Sequence, residues 1–329
     1  MIVSQLQRLK IKLSTRVKNC IKCISISRVE DTLGTLLEDL QLRIGVYFAD
    51  LTCAIDVGAS YYPHPAWKLI RLAPNALWIA VDPNSENLDY LTKWQESYVC
   101  NLTHIPFGLN SHDGEATLYI TNIDSGSSLL PVKVSPDWGE RVDHNYFYPI
   151  TTKKVECITL QKLISQSPIS TNTPIWVKLD TQGTEFAILR SLEPEKFESQ
   201  LLLVETECTL QRIPLMAGSG KLPELIEFME RKGFEIIYFK PIPSRHSIKT
   251  SMITDGVLNE CDIVFALSPM KAINERSLIH NLSLISAYLC YGIIGEAALH
   301  AKRILANGKF KIDNSSRLLL EELESLLLS

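Results

Sequence analysis

The stretch IWVKLDTQGTEFAILRSL, residues 175–192, begins as an apolar run, breaks at Asp180 and resumes with apolar residues at helical spacing. Ile175, Trp176, Val177 and Leu179 suit a strand buried on both faces, and TEFAILRSL suits a helix packed on it. A carboxylate at the end of a buried strand is costly unless it meets a cation, a hydrogen-bond donor or a ligand. Lys178 is one candidate partner, because strand alternation puts it on the same face as Asp180. A ligand hydroxyl or cation is a second, and capping of the following helix, shared with Thr181 or Thr184, is a third.

The pattern recurs on either side. CAIDVG, ALWIAVDP, YVCNLTHIPFGL, EATLYIT, KKVECITL, LLLVETEC, FEIIYFK and CDIVFAL are further strand candidates. NSENLDYLTKWQES, ITLQKLISQ and LPELIEFMERKG are helical candidates between them. Strands alternating with helices predict an α/β domain over residues 51–268 with a mostly parallel, doubly wound sheet. FEIIYFK and CDIVFAL, joined by a polar loop, suit an antiparallel pair at its edge. Residues 1–50 and 269–329 read as helical extensions. Between Ser277 and Gly295 there is no Asp, Glu, Lys or Arg over about the length of a membrane span. Asn281, Ser283, Ser286, Tyr288 and Tyr291 interrupt that segment, which predicts a buried or dimer-forming helix and makes a homodimer one expectation.

A chain of 329 residues with 46% hydrophobic and 21% charged residues can bury a large core. Its net charge of -4 offers no general attraction to nucleic acid, which is not expected as a partner. Charge is uneven, however. Arg8, Lys10, Lys12, Arg16, Lys18, Lys22 and Arg28 precede the first acid, Glu30, so a basic N-terminal arm is available for peripheral membrane contact. The eight cysteines are scattered, several within apolar runs, as reduced core residues are. Cys20 and Cys23 form the lone CxxC, with no second pair to complete a zinc site. No compact apolar segment and cleavage site of a secretion signal follows the basic start, so the expected compartment is the cytoplasm.

Three strand candidates end in an acid: Asp56 in CAIDVGAS, Asp82 in ALWIAVDPN, and Asp180. In doubly wound sheets ligands bind outside the carboxyl ends of the strands, where strand order reverses. Gly58 lets backbone approach a ligand closely, and Asp82, at the next strand end, can accept hydrogen bonds from both hydroxyls of a ribose. A dinucleotide requires GxGxxG to seat its pyrophosphate, whereas Gly58 is followed by Ala59, Ser60, Tyr61, Tyr62 and Pro63. S-adenosylmethionine has no phosphate and needs only the turn, room for its methionine portion and the ribose acid.

DVGAS, VDPN, NSHDGEATLYI, GSSLLP, VKLDTQGTEFAILRSL, LVETE and CDIVFAL, in that order, resemble the successive signature segments of the FkbM-type family of S-adenosylmethionine-dependent methyltransferases. The resemblance runs from Ile55 to Leu267. It implies the class I methyltransferase fold, a Rossmann-like seven-stranded sheet whose last strand is antiparallel, and an O-methyltransferase acting on a hydroxyl of a sugar, glycan or small molecule. It also implies cofactor binding by Asp56, Gly58, Ala59, Ser60, Asp82, Pro83, Asn84, Asp180, Gln182 and Gly183. The family's first motif continues with Asn and a second Gly where this chain has Ser60 and Tyr62. That departure supports an alternative, a binding or scaffold protein that keeps the fold without turnover.

Hydroxyl methylation calls for a general base. Asp180, Glu185, Glu205 and Glu207 are the candidates, Glu205 and Glu207 sharing one face of LVETEC. His64 is a further candidate base, and Trp67 a packing residue at the start of a helix. Asp124, Ser125, Gly126, Ser127 and Ser128 suit a loop over the site, and SPDWGERVDHNYFYP suits a sugar-contacting loop. Oxygen-rich acids suit magnesium, but the spacing specifies no metal ligand.

Overall fold

A computed structural model describes residues 26–59, 62–132, 149–192, 199–210, 216–243 and 258–327. In chain order its first half holds α1 (Ile26–Ala49), β1 (Cys53–Val57), α2 (Lys68–Arg71), β2 (Leu77–Val81), α3 (Ser85–Thr92), β3 (Asn101–Ile105), β4 (Gly108–Leu109), β5 (Gly114–Thr121) and β6 (Pro149–Ile158). There follow α4 (Leu160–Gln166), β7 (Ile175–Leu179), α5 (Glu185–Arg190), β8 (Leu201–Thr209), α6 (Leu222–Arg231), β9 (Phe234–Pro243) and β10 (Leu258–Leu267). Four helices complete the described chain: α7 (Pro269–Glu275), α8 (Leu278–Cys290), α9 (Ile294–Ala306) and α10 (Asn314–Glu324).

Seven strands form the main sheet in the order β3-β2-β1-β7-β8-β10-β9, with β10 alone reversed. This is the doubly wound α/β architecture, with its antiparallel edge pair, that the sequence predicts. The apolar runs of β1 and β7 are buried almost throughout, as strands covered on both faces require. Because the chain builds outward from β1 through β2 to β3 and then returns to place β7 on the other side of β1, strand order reverses between β1 and β7. Their carboxyl ends flank the crevice where such sheets bind ligands.

The sequence expectation differs from the structure in one region. YVCNLTHIPFGL is not one strand: β3 ends at Ile105, Pro106 has no N–H for a ladder, and β4 joins a second sheet. EATLYIT and KKVECITL also leave the main sheet, pairing antiparallel as β5 and β6 in a three-stranded satellite of order β4-β6-β5.

The terminal helices pack into the same hydrophobic core as the sheet. Ser286 Oγ on α8 donates to the Gly45 carbonyl of α1 at 2.8 Å, and Trp176 Nε1 of β7 donates to Ser283 Oγ at 3.1 Å. Trp67 packs edge-on against Trp78 and Trp176 and is fully buried, a packing residue in a 3-10 turn. The uncharged segment is thus the buried helix α8, and among the described residues no helix is long and apolar enough to cross a membrane. Cys53, Cys100, Cys157, Cys208, Cys261 and Cys290 are free thiols. The basic arm as far as Lys22, with Cys20 and Cys23, and the SPDWGERVDHNYFY stretch lie outside the described residues.

Candidate active site

The first cavity opens at the carboxyl ends of β1, β2 and β7. Val57, Gly58, Asp82, Pro83, Asn84, Asp180 and Thr181 line it from the main sheet. Leu109, Leu118, Asp124, Ser127, Ser128 and Leu129 close it from the satellite segment, so the Asp124–Ser128 loop does lie at the cavity.

Gly58 has φ +73°, and a Cβ there would stand 1.9 Å from the Asp180 carbonyl oxygen. Only glycine lets β1 and β7 approach this closely at the crevice floor. Its N–H donates to the Val81 carbonyl at 2.9 Å, as the Ala59 N–H does at 3.2 Å, so the turn is tied to the end of β2. Ala59 is buried. Ser60 lies outside the described residues. Tyr62, which replaces the family's second glycine, is 62% exposed and does not line the cavity, so it does not crowd it.

Asp82 is buried, and its Oδ1 accepts from the Asn84 backbone N–H at 2.7 Å and from Asn87 Nδ2 at 3.2 Å. Burial pushes its pKa up to about 7 against those two bonds, and the charge of Asp124 adds to the rise. Asn84 in turn caps α3, accepting from the Glu86 N–H.

Behind Asp180 sits a mostly buried ammonium. Lys178 Nζ lies 3.4 Å from Asp56 Oδ1 and 3.3 Å from Asp180 Oδ2. Burial alone would lower the lysine's pKa, but Asp180, Asp56 and Glu205 together raise it, so the group stays charged. Asp56 is therefore a counter-ion beneath the crevice.

The turn after β7 is built on Gln182, a non-glycine residue at φ +55°, and Gly183 at φ +115°. The Gln182 side-chain amide donates to Asp180 Oδ1 at 3.1 Å and to Glu207 Oε2 at 2.8 Å, linking β7 to β8. The Gln182 backbone carbonyl accepts from Ser128 Oγ at 2.7 Å, which ties the satellite loop to the same turn. Glu185 turns back on this loop and accepts from the Thr181 N–H at 2.8 Å and the Gly183 N–H at 2.9 Å. Burial raises its pKa while those N–H groups oppose the rise.

The neighbouring acids of β8 occupy different environments. Glu205 Oε1 stands 3.1 Å from His64 Nε2, and its other oxygen accepts from the Tyr291 hydroxyl. Tyr291 accepts from Trp67 Nε1 at 2.9 Å. Burial acts to raise the pKa of Glu205, yet the bonds from His64 and Tyr291 outweigh it and the net shift is downward. Glu207 is pushed well above the usual carboxylate range by burial and by Asp180 and Glu260. It lines a second cavity beside the first, with Gln182, Glu185, Phe186, Met216, Ser219 and Glu260. Among the described residues no group of three acids, histidines or cysteines is disposed to hold a metal ion.

Sequence reasoning missed Asn87 and Tyr291. Asn87 had a signal, its place in the first turn of the helix after Asp82; Tyr291 had none, because only the packing of the C-terminal segment brings it to Glu205.

A methyltransferase FkbM domain model matches residues 56–236. No curated protein matches the chain. Among solved structures, PH1948 of Pyrococcus horikoshii, a candidate RNA methyltransferase, aligns at 10% identity over 71% of this chain and 85% of its own, with a TM-score of 0.29. The B. subtilis tRNA methyltransferase TrmK aligns at 11% identity over 87% of this chain and 93% of its own, also with a TM-score of 0.29.

Proposed function

The chain belongs to the FkbM family of methyltransferases, and from that membership we propose that it methylates a hydroxyl oxygen of a sugar, glycan or other small-molecule acceptor, using S-adenosylmethionine. The first cavity suits an adenosine-bearing methyl donor. Gly58 leaves no side chain where the strand ends meet, and the Asp82 carboxylate sits at the end of β2 for a ribose. When bound, S-adenosylmethionine supplies an electrophilic methyl carbon on a sulfonium. Asp82, Pro83, Asn84 and Gly58 would hold the adenosyl portion, with Asp180 at the methionine end beside Thr181.

Transfer to oxygen rests on Glu207. Glu185 is engaged by loop N–H groups, Glu205 by His64 and Tyr291, and Asp180 by the Lys178 ammonium, whereas Glu207 accepts from the neutral Gln182 amide. A positioned base contributes roughly 100- to 10,000-fold. In this role Glu207 takes the acceptor hydroxyl's proton in the second cavity. Gln182, bonded to both Asp180 and Glu207, fixes the base relative to the first cavity, and that positioning contributes a large part of the acceleration. Phe186 offers the acceptor an apolar face.

The test is incubation with S-adenosylmethionine and a panel of sugars, glycans and alcohols, with the product read by mass spectrometry and its linkage by NMR. A methyl ether whose formation falls about 100-fold in Glu207→Gln, with S-adenosylhomocysteine still bound, is the expected result. Methylation at nitrogen or carbon, or an unimpaired variant, would overturn the proposal.

A further inference from the structure

The 3-10 turn Asp124–Gly126 follows β5 of the satellite sheet and carries a carboxylate to the first cavity. Asp124 Oδ2 is closed off from solvent and has no hydrogen-bond partner. The serines beside it are already engaged. Ser127 Oγ accepts from the Thr121 N–H at 3.2 Å; Ser128 Oγ donates to the Gln182 carbonyl at 2.7 Å and accepts from the Leu130 N–H at 2.9 Å. A carboxylate oxygen buried without a donor is destabilising, so a cavity that carries one is matched to a ligand that brings the donor.

The surroundings of that oxygen narrow the ligand. Leu109, Leu118 and Leu129 line the cavity from the same segment of chain as Asp124, and Leu118 belongs to the satellite's own apolar cluster. Asp82, the other acid from which a ligand could draw bonds, lies at the end of β2, where its carboxylate already receives Asn84 and Asn87. The cavity thus carries one carboxylate with donors around it, suited to hydroxyls, and, among the leucines and bonded serines of the satellite segment, one carboxylate oxygen without a donor. A flat, largely apolar ring with one N–H donor on its rim meets the second requirement.

We propose that Asp124 accepts a hydrogen bond from the exocyclic amine of the cofactor's adenine and makes the cavity selective for a 6-aminopurine. The assignment rests on the cofactor named above but concerns a loop that the strand-end pattern does not include. It gives the satellite sheet a part in cofactor recognition: β4, β5 and the turn after β5 form the base-reading wall. Selectivity follows because a purine without the amine leaves the carboxylate unpaired in a closed site.

The experiment compares two ligands by calorimetry: S-adenosylhomocysteine and its 6-desamino analogue, in which hydrogen replaces the amine. Wild type is expected to prefer the amino compound by about 10- to 100-fold, the range for a hydrogen bond to a charged group. Asp124→Ala is expected to bind the two within about threefold of one another. Asp124→Asn, which preserves shape, should narrow the preference without abolishing binding. Asp82→Ala should weaken both ligands and leave their ratio unchanged. A wild type that binds both equally, or a preference that survives intact in both Asp124 variants, overturns the assignment while leaving the cofactor in place. Failure of folded wild type to bind S-adenosylhomocysteine would instead remove the cofactor and the assignment with it.

Discussion

The Lys178 ammonium lies 3.3 Å from the Asp180 carboxylate, and the same ammonium neutralises Asp56 one strand away. The Asp56 side chain is only 3% exposed, so its charge has little solvent to fall back on. Lys178→Met should therefore destabilise the fold by roughly 3–5 kcal/mol, the usual effect of leaving one partner of a buried pair alone. Chemical denaturation of that variant and of Asp56→Asn/Lys178→Met gives the check. The double variant should recover part of the loss, and a single variant within about 1 kcal/mol of wild type would contradict the pairing.

Gly58→Ala places a methyl group 1.9 Å from a backbone oxygen in a left-handed conformation. Left-handed strain alone costs roughly 1–3 kcal/mol, and the clash forces β1 and β7 apart at the crevice. We expect a lower unfolding midpoint together with loss of S-adenosylhomocysteine binding by more than about tenfold. Retained affinity at wild-type stability would show that the close approach is dispensable.

Asp82 links stability to pH with a definite sign. Its folded pKa of about 7 lies above the ordinary 3.8, so between those values the folded state holds a proton that the unfolded state has lost. Stability therefore falls as pH rises from about 4 to about 7 and is level above that. Asp82→Asn should remove this slope and stabilise the protein at pH 8 by roughly 4 kcal/mol, at 1.36 kcal/mol per pKa unit. Urea denaturation of both proteins at pH 5 and pH 8 measures it; parallel pH dependences would refute the assignment. Ribose hydroxyls donating to Asp82 favour its ionised form, so S-adenosylhomocysteine affinity should rise from pH 6 to pH 7.5, with proton release visible in buffers of different ionisation enthalpy.

Tyr291→Phe removes the acceptor of Trp67 Nε1 and a donor to Glu205. A loss of about 1–3 kcal/mol is expected, because Trp67 is fully buried and its indole N–H has no water to turn to. Thermal unfolding would report the loss, and faster exchange of the Trp67 indole proton would locate it. An unchanged exchange rate would mean that the tyrosine contributes nothing at that point.

Much of the fold was legible because burial leaves a periodic record. IWVKL and CAIDV could only be strands covered on both faces, and their alternation with helical segments pointed to the parallel order. YVCNLTHIPFGL reads as one apolar run, but Pro106 within it has no N–H for the ladder, which ends β3 and frees the chain for the satellite sheet. The acids at the strand ends were visible for the same reason that the strands were, since a charge stands out at the edge of an apolar run. Their individual environments were not. Glu205 and Glu207 share a strand face and look equivalent in sequence, yet one is held by His64 and Tyr291 and the other is raised by neighbouring carboxylates.

The sequence alone determined which residues reach the carboxyl edge of the sheet, because side-chain alternation and the strand-turn-helix rhythm are local properties of the chain. Tertiary structure decided what each of them does there. The partners of Glu205, the pairing of Lys178 with Asp56, and the meeting of Asp124 and Asp82 on one cavity all join residues distant in sequence. Charge, burial and hydrogen bonding act through space, and only packing brings those groups within range of one another.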